Sequence, residues 1–178
     1  KINLQNLPSR GPNAKKLKSS IIAPEGHVLI DADSAQIEAR VLAWLAEQTD
    51  LVSQFANGED VYVKMASRIY DVQDKEQRFV GKTTVLGAGY GMGYIKFRDQ
   101  LKNFGTEVTE TEARRIINIY RNVNFQIQKL WDNANFALEQ MCYNSTVRLG
   151  KEGVLQVIGQ DNAIKLPSGL NIFYEDLK

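Results

Sequence analysis

The side chains best suited to chemistry in this 178-residue chain are Arg78, Lys82, Leu86 and Tyr90, spaced one every fourth position. On an α-helix four-residue steps drift only slowly round the axis, so the four form one stripe. Two cations suit the phosphates of a nucleoside triphosphate, and an apolar side chain with a phenol suits its base and sugar. The same stripe fits a solvated amphipathic helix whose Leu86 and Tyr90 pack on a neighbour. A second candidate is Asp33, at the end of the apolar run beginning at His27. It can cap the helix that follows by accepting the Gln36 amide, with Gln36 reaching back, or it can ligate a metal.

Two near-miss motifs surround Lys82. Gly81-Lys82-Thr83 resembles the end of a phosphate-binding P-loop, but that pattern needs a glycine where Glu76 stands, and a glycine-rich loop after a strand. Gly87, Gly89, Gly91 and Gly93 alternate, yet G-x-G-x-x-G meets Met92 or Tyr94 at its third glycine position. These glycines are expected to end the helix and admit another backbone or a base closely.

Length allows one compact domain or two small lobes with a sizeable core. The net charge of +1 gives no global basic field, so nucleic-acid binding would need local clustering. The single cysteine, Cys142, forms no internal disulfide and reads as a buried thiol in a reducing compartment. No apolar run has membrane-spanning length, and the first residues have no apolar signal core. The expectation is a soluble cytoplasmic protein of a bacterium or phage-infected host, without a membrane partner. The abrupt ends suggest a piece of a longer protein.

The elements that must position these residues follow from spacing. Lys1 to Lys18 reads as a loop ending in the basic run Lys15, Lys16 and Lys18, either a solvated face or a nucleic-acid contact. His27 to Asp33 reads as a short strand. Ile37, Val41, Trp44 and Leu45 predict a buried helix. Asn57-Gly58 closes another, Asp60 opens one through Tyr70, and the Arg78 helix is placed at about 76–91. Thr109 and Glu112 fit a capping box, and a long helix covers Gln126 to Tyr143, with Trp131 inside it. Val147 to Leu149, Val154 to Ile158 and Ile164 to Leu166 read as late hairpins. The fold class is α+β and predominantly helical.

Three stretches together resemble the family A DNA polymerases. Asn3 to Pro8 resembles the family's N-L-Q-N-I-P loop, Asp33 to Arg40 is similar to motif A, D-Y-S-Q-I-E-L-R, and Arg78 to Gly91 is similar to motif B, R-x-x-x-K-x-x-x-F/Y-x-x-x-Y-G. The resemblance implies a DNA-directed DNA polymerase that adds deoxynucleotides to a primer by metal-assisted phosphoryl transfer. It implies residues 1–45 as part of the palm and 46–178 as fingers. Its partners are primer-template DNA, deoxynucleoside triphosphates and the remainder of the polymerase.

By the same resemblance Asp33 and the Ser34 carbonyl are ligands of two magnesium ions, and Lys82 is also a proton donor to the leaving group. Arg78, Lys82, Leu86, Tyr90, Glu38 and Gln36 bind the nucleotide, with Glu38 and Tyr90 hydrogen-bonded to exclude a ribose 2′-hydroxyl. Gln5, Asn6, Arg40 and Gly91 contact DNA.

The chain departs from the family pattern in several places. Leu86 stands where Phe or Tyr is usual, Ser34-Ala35 replaces Tyr-Ser, and Tyr62 takes a position where histidine is common. These departures suggest a phage-type branch. The histidine-aspartate-glutamate turn of motif C is absent from the sequence, which suggests that the segment does not polymerise alone. The alternatives are a non-catalytic helical interaction module, or a relative of the single-subunit RNA polymerases, against which Glu38 argues.

Overall fold

The computed structural model describes residues 13–70, 74–175 and 177. Backbone proximity divides the chain into two compact units, Lys1–Ala35 and Gln36–Lys178.

In the first unit the basic run is helical rather than looped: α1 spans Ala14–Ser19, with Ala14 buried and Lys16 and Lys18 in its last turn. Cations there oppose the negative end of the helix dipole. The expected strand from His27 to Asp33 does not form. An extended segment acquires a ladder only from a neighbouring strand, and the described part of this unit contains none; Val28 and Ile30 are more than four-fifths exposed.

The second unit is the helical body predicted, with one small sheet. Its helices are α2 (Ile37–Leu45), α3 (Thr49–Ala56), α4 (Val61–Ile69), α5 (Lys75–Gly89), α6 (Tyr94–Asn103), α7 (Glu110–Val123) and α8 (Phe125–Cys142). The strands β1 (Thr146–Leu149), β2 (Leu155–Ile158), β3 (Ala163–Lys165) and β4 (Asn171–Phe173) form an antiparallel meander in chain order. Three of them are the expected hairpin strands, and β4 is an addition. Cross-strand partners Val147, Val157, Ile164 and Ile172 run through the sheet in register, and β1 packs on α8.

The core is built from residues of α2 to α8 with Leu149 and Val157 of the sheet. On α7 the buried residues Ala113, Ile116, Ile117 and Tyr120 follow the three- and four-residue steps of one helix face. Phe97, Leu101, Ile116, Ile117 and Ile127 are fully or almost fully enclosed, each contributing about 1.5–3 kcal/mol by leaving water. The Thr109 hydroxyl accepts the Glu112 amide at 3.2 Å, as the capping pattern predicts. A buried glutamine, Gln48, staples the junction between α7 and α8. It donates to the Val123 carbonyl at 3.3 Å and to Asp50 at 2.6 Å, and accepts the Gln126 amide at 3.0 Å.

Two expectations for α2 are corrected. Its N-cap is Gln36, in the left-handed conformation at φ 59°, and no side chain caps the helix, so the box from Asp33 does not form. Its bulky stripe also faces outward. Ile37, Val41 and Trp44 are exposed, while Ala39, Ala43 and Ala46 are buried. The alanines lie on the opposite face, and their small side chains let the helix approach the core closely. Cys142, expected inside, is exposed.

Candidate nucleotide site

Helix α5 is held in place from both ends. At its start the Asp74 carboxylate accepts the Gln77 amide at 2.8 Å and the Gln77 side chain accepts the Asp74 amide at 3.3 Å, a complete capping box. At its end Gly91 is left-handed at φ 73°. The Met92 amide reaches the Gly87 carbonyl at 3.1 Å and the Gly91 amide reaches Ala88 at 3.0 Å, a Schellman closure. Gly87 and Gly89 therefore belong to the helix, and Gly91 ends it.

The middle of α5 is nearly all buried: Val80, Gly81, Thr83, Thr84, Val85, Gly87, Ala88 and Gly89. Gly81, the residue that gives the P-loop likeness, is there for packing. A Cβ at this position would run into the Tyr62 carbonyl of α4 and lie 3.0 Å from the Ala66 amide nitrogen. Against that background Arg78, Lys82 and Tyr90 are exposed and Leu86 is half-buried. The four-residue stripe is thus the outward face of an otherwise enclosed helix.

The N-terminal half of the stripe is polar. Arg78 Nε donates to Asp60 Oδ2 at 2.8 Å and an Arg78 Nη lies 2.7 Å from the same oxygen. The other Asp60 oxygen accepts the Tyr62 and Val63 amides at 3.0 and 3.1 Å, capping α4. Burial alone would raise the Asp60 pKa; the Arg78 hydrogen bond and charge, with the two amides, outweigh it and hold the carboxyl below its ordinary value. The Tyr62 ring lies under both cations, 5.5 Å from the Arg78 guanidinium and 6.0 Å from Lys82 Nζ. Burial pushes the Tyr62 phenol up, opposed by the Arg78 charge and a hydrogen bond from Gln36. Gln36, Tyr62, Arg78 and Lys82 consequently form one cluster.

The C-terminal half borders an apolar cavity of about 250 Å³, walled by Val41, Leu42 and Leu45 of α2, Val85, Leu86 and Gly89 of α5, and Trp131 of α8, with Glu38 and Tyr90 at its edge. Desolvation, then a hydrogen bond to Glu38 and the Glu38 charge, raise the Tyr90 pKa. Glu38 and Tyr90 thus border the same cavity. Trp131 is the participant that spacing did not single out: its indole Nε1 donates to the Gly89 carbonyl at 3.0 Å. A tryptophan in a helical apolar pattern reads as core, and nothing in a linear pattern reveals which carbonyl its N–H meets. Asp60 was legible as a cap, but not as the partner of Arg78, 18 positions away.

Arg40 packs its guanidinium 4.7 Å from the centre of the Phe55 ring and donates to the Phe55 carbonyl. Asp33 and Ser34 are exposed residues of the first unit. Gln5 and Asn6 lie outside the described residues. Among the described residues no three carboxylate, histidine or cysteine side chains gather as a metal site, so the donor set around Asp33 does not by itself fit a pair of hard cations, which take several oxygen ligands each. No helix among the described residues is long and apolar enough to cross a membrane.

The model of the family described as DNA polymerase family A matches residues 1–167. DNA polymerase I of Chloroflexus aurantiacus is 38% identical over 103 residues, 56% of this chain and 11% of that protein. The enzyme of Caldicellulosiruptor bescii is 32% identical over 135 residues, 74% of this chain and 15% of its own. That of Borreliella burgdorferi is 26% identical over 167 residues, 92% and 18%. The chain thus spans less than a fifth of each of these relatives. Among solved structures, the POL domain of Pol1 from M. smegmatis, in complex with DNA primer-template and dNTP, is similar with a TM-score of 0.59 at 25% identity, over 82% of this chain and 25% of that one. With the family pattern running through residues 1–167 and the motif B stripe laid out on the open face of α5, the chain belongs to DNA polymerase family A.

Proposed function

We propose that this segment carries the nucleotide-binding half of a DNA-directed DNA polymerase active site, with residues 1–45 as part of the palm and 46–178 as fingers. The observation that carries the reading is the division of α5: cations at one end of its open face, and at the other a carboxylate and a phenol paired over an apolar cavity. A deoxynucleoside triphosphate matches that division, with phosphates toward Arg78 and Lys82 and sugar toward Glu38 and Tyr90.

The Arg78–Asp60 pair is suited to exchange. Both side chains are more than a third exposed, and such pairs contribute only about 0.2–1 kcal/mol. A triphosphate offers Arg78 a more highly charged partner in a charge-assisted geometry, at the cost of that weak pair. Lys82 rests over Tyr62, within a side chain's reach of the same anion, where it can also give a proton to the leaving pyrophosphate. Glu38 and Tyr90, packed against C2′, leave no room for a further oxygen, so ribonucleotides are disfavoured by steric conflict and desolvation.

The partners in this reading are primer-template DNA, with Gln5, Asn6, Arg40 and Gly91 on the DNA side, and the rest of the polymerase. Magnesium would be held in part by Asp33 and the Ser34 carbonyl, supplying charge stabilisation to phosphoryl transfer; these two ligands are too few for two ions. Motif C is absent from the sequence, so the segment alone is expected not to extend a primer. A phage-type branch rests only on the departures at Ser34-Ala35, Tyr62 and Leu86, and the bacterial relatives give it no support.

Primer extension tests the reading, comparing these 178 residues with a longer natural form that contains them, with magnesium and four deoxynucleotides on a primed template. Extension by the longer form alone is expected. Extension by the short chain would show that its own carboxylates complete the site, and equal use of ribonucleotides would move the assignment to RNA synthesis.

A further inference from the structure

Trp131 stands outside the nucleotide-binding stripe but is joined to it through a single peptide group. Near the end of a helix the last carbonyls lack the amide partners they would have inside it. In α5 the Leu86, Gly87 and Ala88 carbonyls are met by amides of Tyr90, Gly91 and Met92. The Gly89 carbonyl receives none of these amides; the indole of Trp131, on α8, donates to it at 3.0 Å. Trp131 is therefore a tertiary cap on the last turn of α5.

The capped carbonyl belongs to the same rigid peptide plane as the Tyr90 amide. Fixing it fixes the plane from which the Tyr90 side chain departs, and the opposite side of Gly89 is equally confined. A Cβ there would lie 3.2 Å from Leu42 Cδ2 and 3.4 Å from the Tyr120 hydroxyl. The Trp131 ring also walls the cavity that Glu38 and Tyr90 line. Tyr90 itself is about two-thirds exposed, so few contacts of its own ring hold it. Its position depends on the backbone beneath it.

We propose that Trp131 is a positioning residue for sugar selection, acting through the Gly89–Tyr90 peptide to hold Tyr90 against Glu38. The inference rests on the nucleotide reading above and adds to it a residue on α8, which no motif includes. Trp131→Phe keeps a ring in the cavity wall and removes the N–H.

The test is incorporation of a deoxynucleotide and the matching ribonucleotide by the longer natural form, at a series of concentrations, for wild type, Trp131→Phe, Glu38→Ala and the double variant. Losing one neutral hydrogen bond corresponds to a discrimination ratio about fivefold lower in Trp131→Phe, with the change in relative KM rather than in deoxynucleotide kcat. In the Glu38→Ala background, where the pair is already broken, Trp131→Phe should lower the ratio no further. An unchanged ratio in the single variant, or an equal further drop in the double variant, overturns the proposal while leaving the polymerase reading intact. Absence of discrimination in the wild type overturns both.

A second measurement uses the 178 residues themselves: hydrogen exchange at the Tyr90 and Gly91 amides is expected to quicken in Trp131→Phe, while exchange in the α7 core does not. If Trp131→Phe fails to fold, Gly89→Ala disturbs the same peptide from the other side, and retention of wild-type discrimination by that variant overturns the proposal.

Discussion

The two halves of α5 use one helix face in opposite ways. At its start Arg78 and Lys82 are exposed cations, with Arg78 held to a single carboxylate, Asp60. At its end Leu86 and Tyr90 border a cavity closed by two other helices. The charged half needs little from the fold beyond reach and freedom to exchange partners. The apolar half needs its walls, because shape selection is only as sharp as the surfaces that enforce it. Four-residue spacing is the same in both halves, but only the second depends on how α2 and α8 arrive.

The largest expected break in this comparison is charge reversal in the first half. Lys82→Glu in a longer, active form should lower nucleotide incorporation by on the order of 10²–10⁴ if the lysine both binds phosphate and donates a proton. Because Lys82 is exposed, the melting curve should hardly move. Near-normal incorporation kinetics would favour the inert helical module over a nucleotide site.

Gly81→Ala attacks the shared backbone of both halves. Its methyl group has nowhere to go between α5 and the α4 carbonyl of Tyr62, so denaturant unfolding should show a loss of about 1–3 kcal/mol. A fully stable variant would mean that the two helices can separate without cost.

Asp60→Asn sharpens the first half. Asparagine still caps a helix, but the ion pair is gone, and stability should fall by no more than about 1 kcal/mol. The pH dependence has a definite sign. The folded Asp60 carboxyl titrates below its ordinary value of 3.8, so its contribution is present above that pH and is lost as pH falls through the folded value. Unfolding curves of wild type and Asp60→Asn should therefore converge in acid below about pH 4; curves that stay parallel there would remove the ion pair as the cause.

Leu86→Phe sharpens the second half with the smallest effect on stability. A ring at this half-buried position should occupy part of the 250 Å³ cavity and shift the relative use of dideoxynucleotides in a longer form. No shift would separate the cavity from sugar handling.

What could be read in the sequence was what depends on local order along the chain. The stripe from Arg78 to Tyr90, the Thr109 cap, the Asp60 cap and three of the four strands follow from spacing, turn residues and capping chemistry. These are interactions among residues a few positions apart. The reading failed where a neighbour decides. The run from His27 acquires no ladder, because a strand is defined by its partner. Ile37, Val41 and Trp44 of α2 are exposed, since its alanines give the closer approach. Periodicity identifies two faces of a helix and not which one meets the core.

By itself, then, the sequence determined the helical body, the four-residue stripe of α5 and membership of a polymerase family. Only the tertiary structure decided that Arg78 is held by Asp60, that Gly81 serves packing rather than phosphate, and that Trp131 caps the turn beneath Tyr90. Each of these joins groups well separated in the chain, 18 positions apart for Arg78 and Asp60 and 42 for Trp131 and Gly89. Hydrogen bonds and close packing at such separations are set by how helices dock, and docking depends on the whole buried surface rather than on any one stretch of residues.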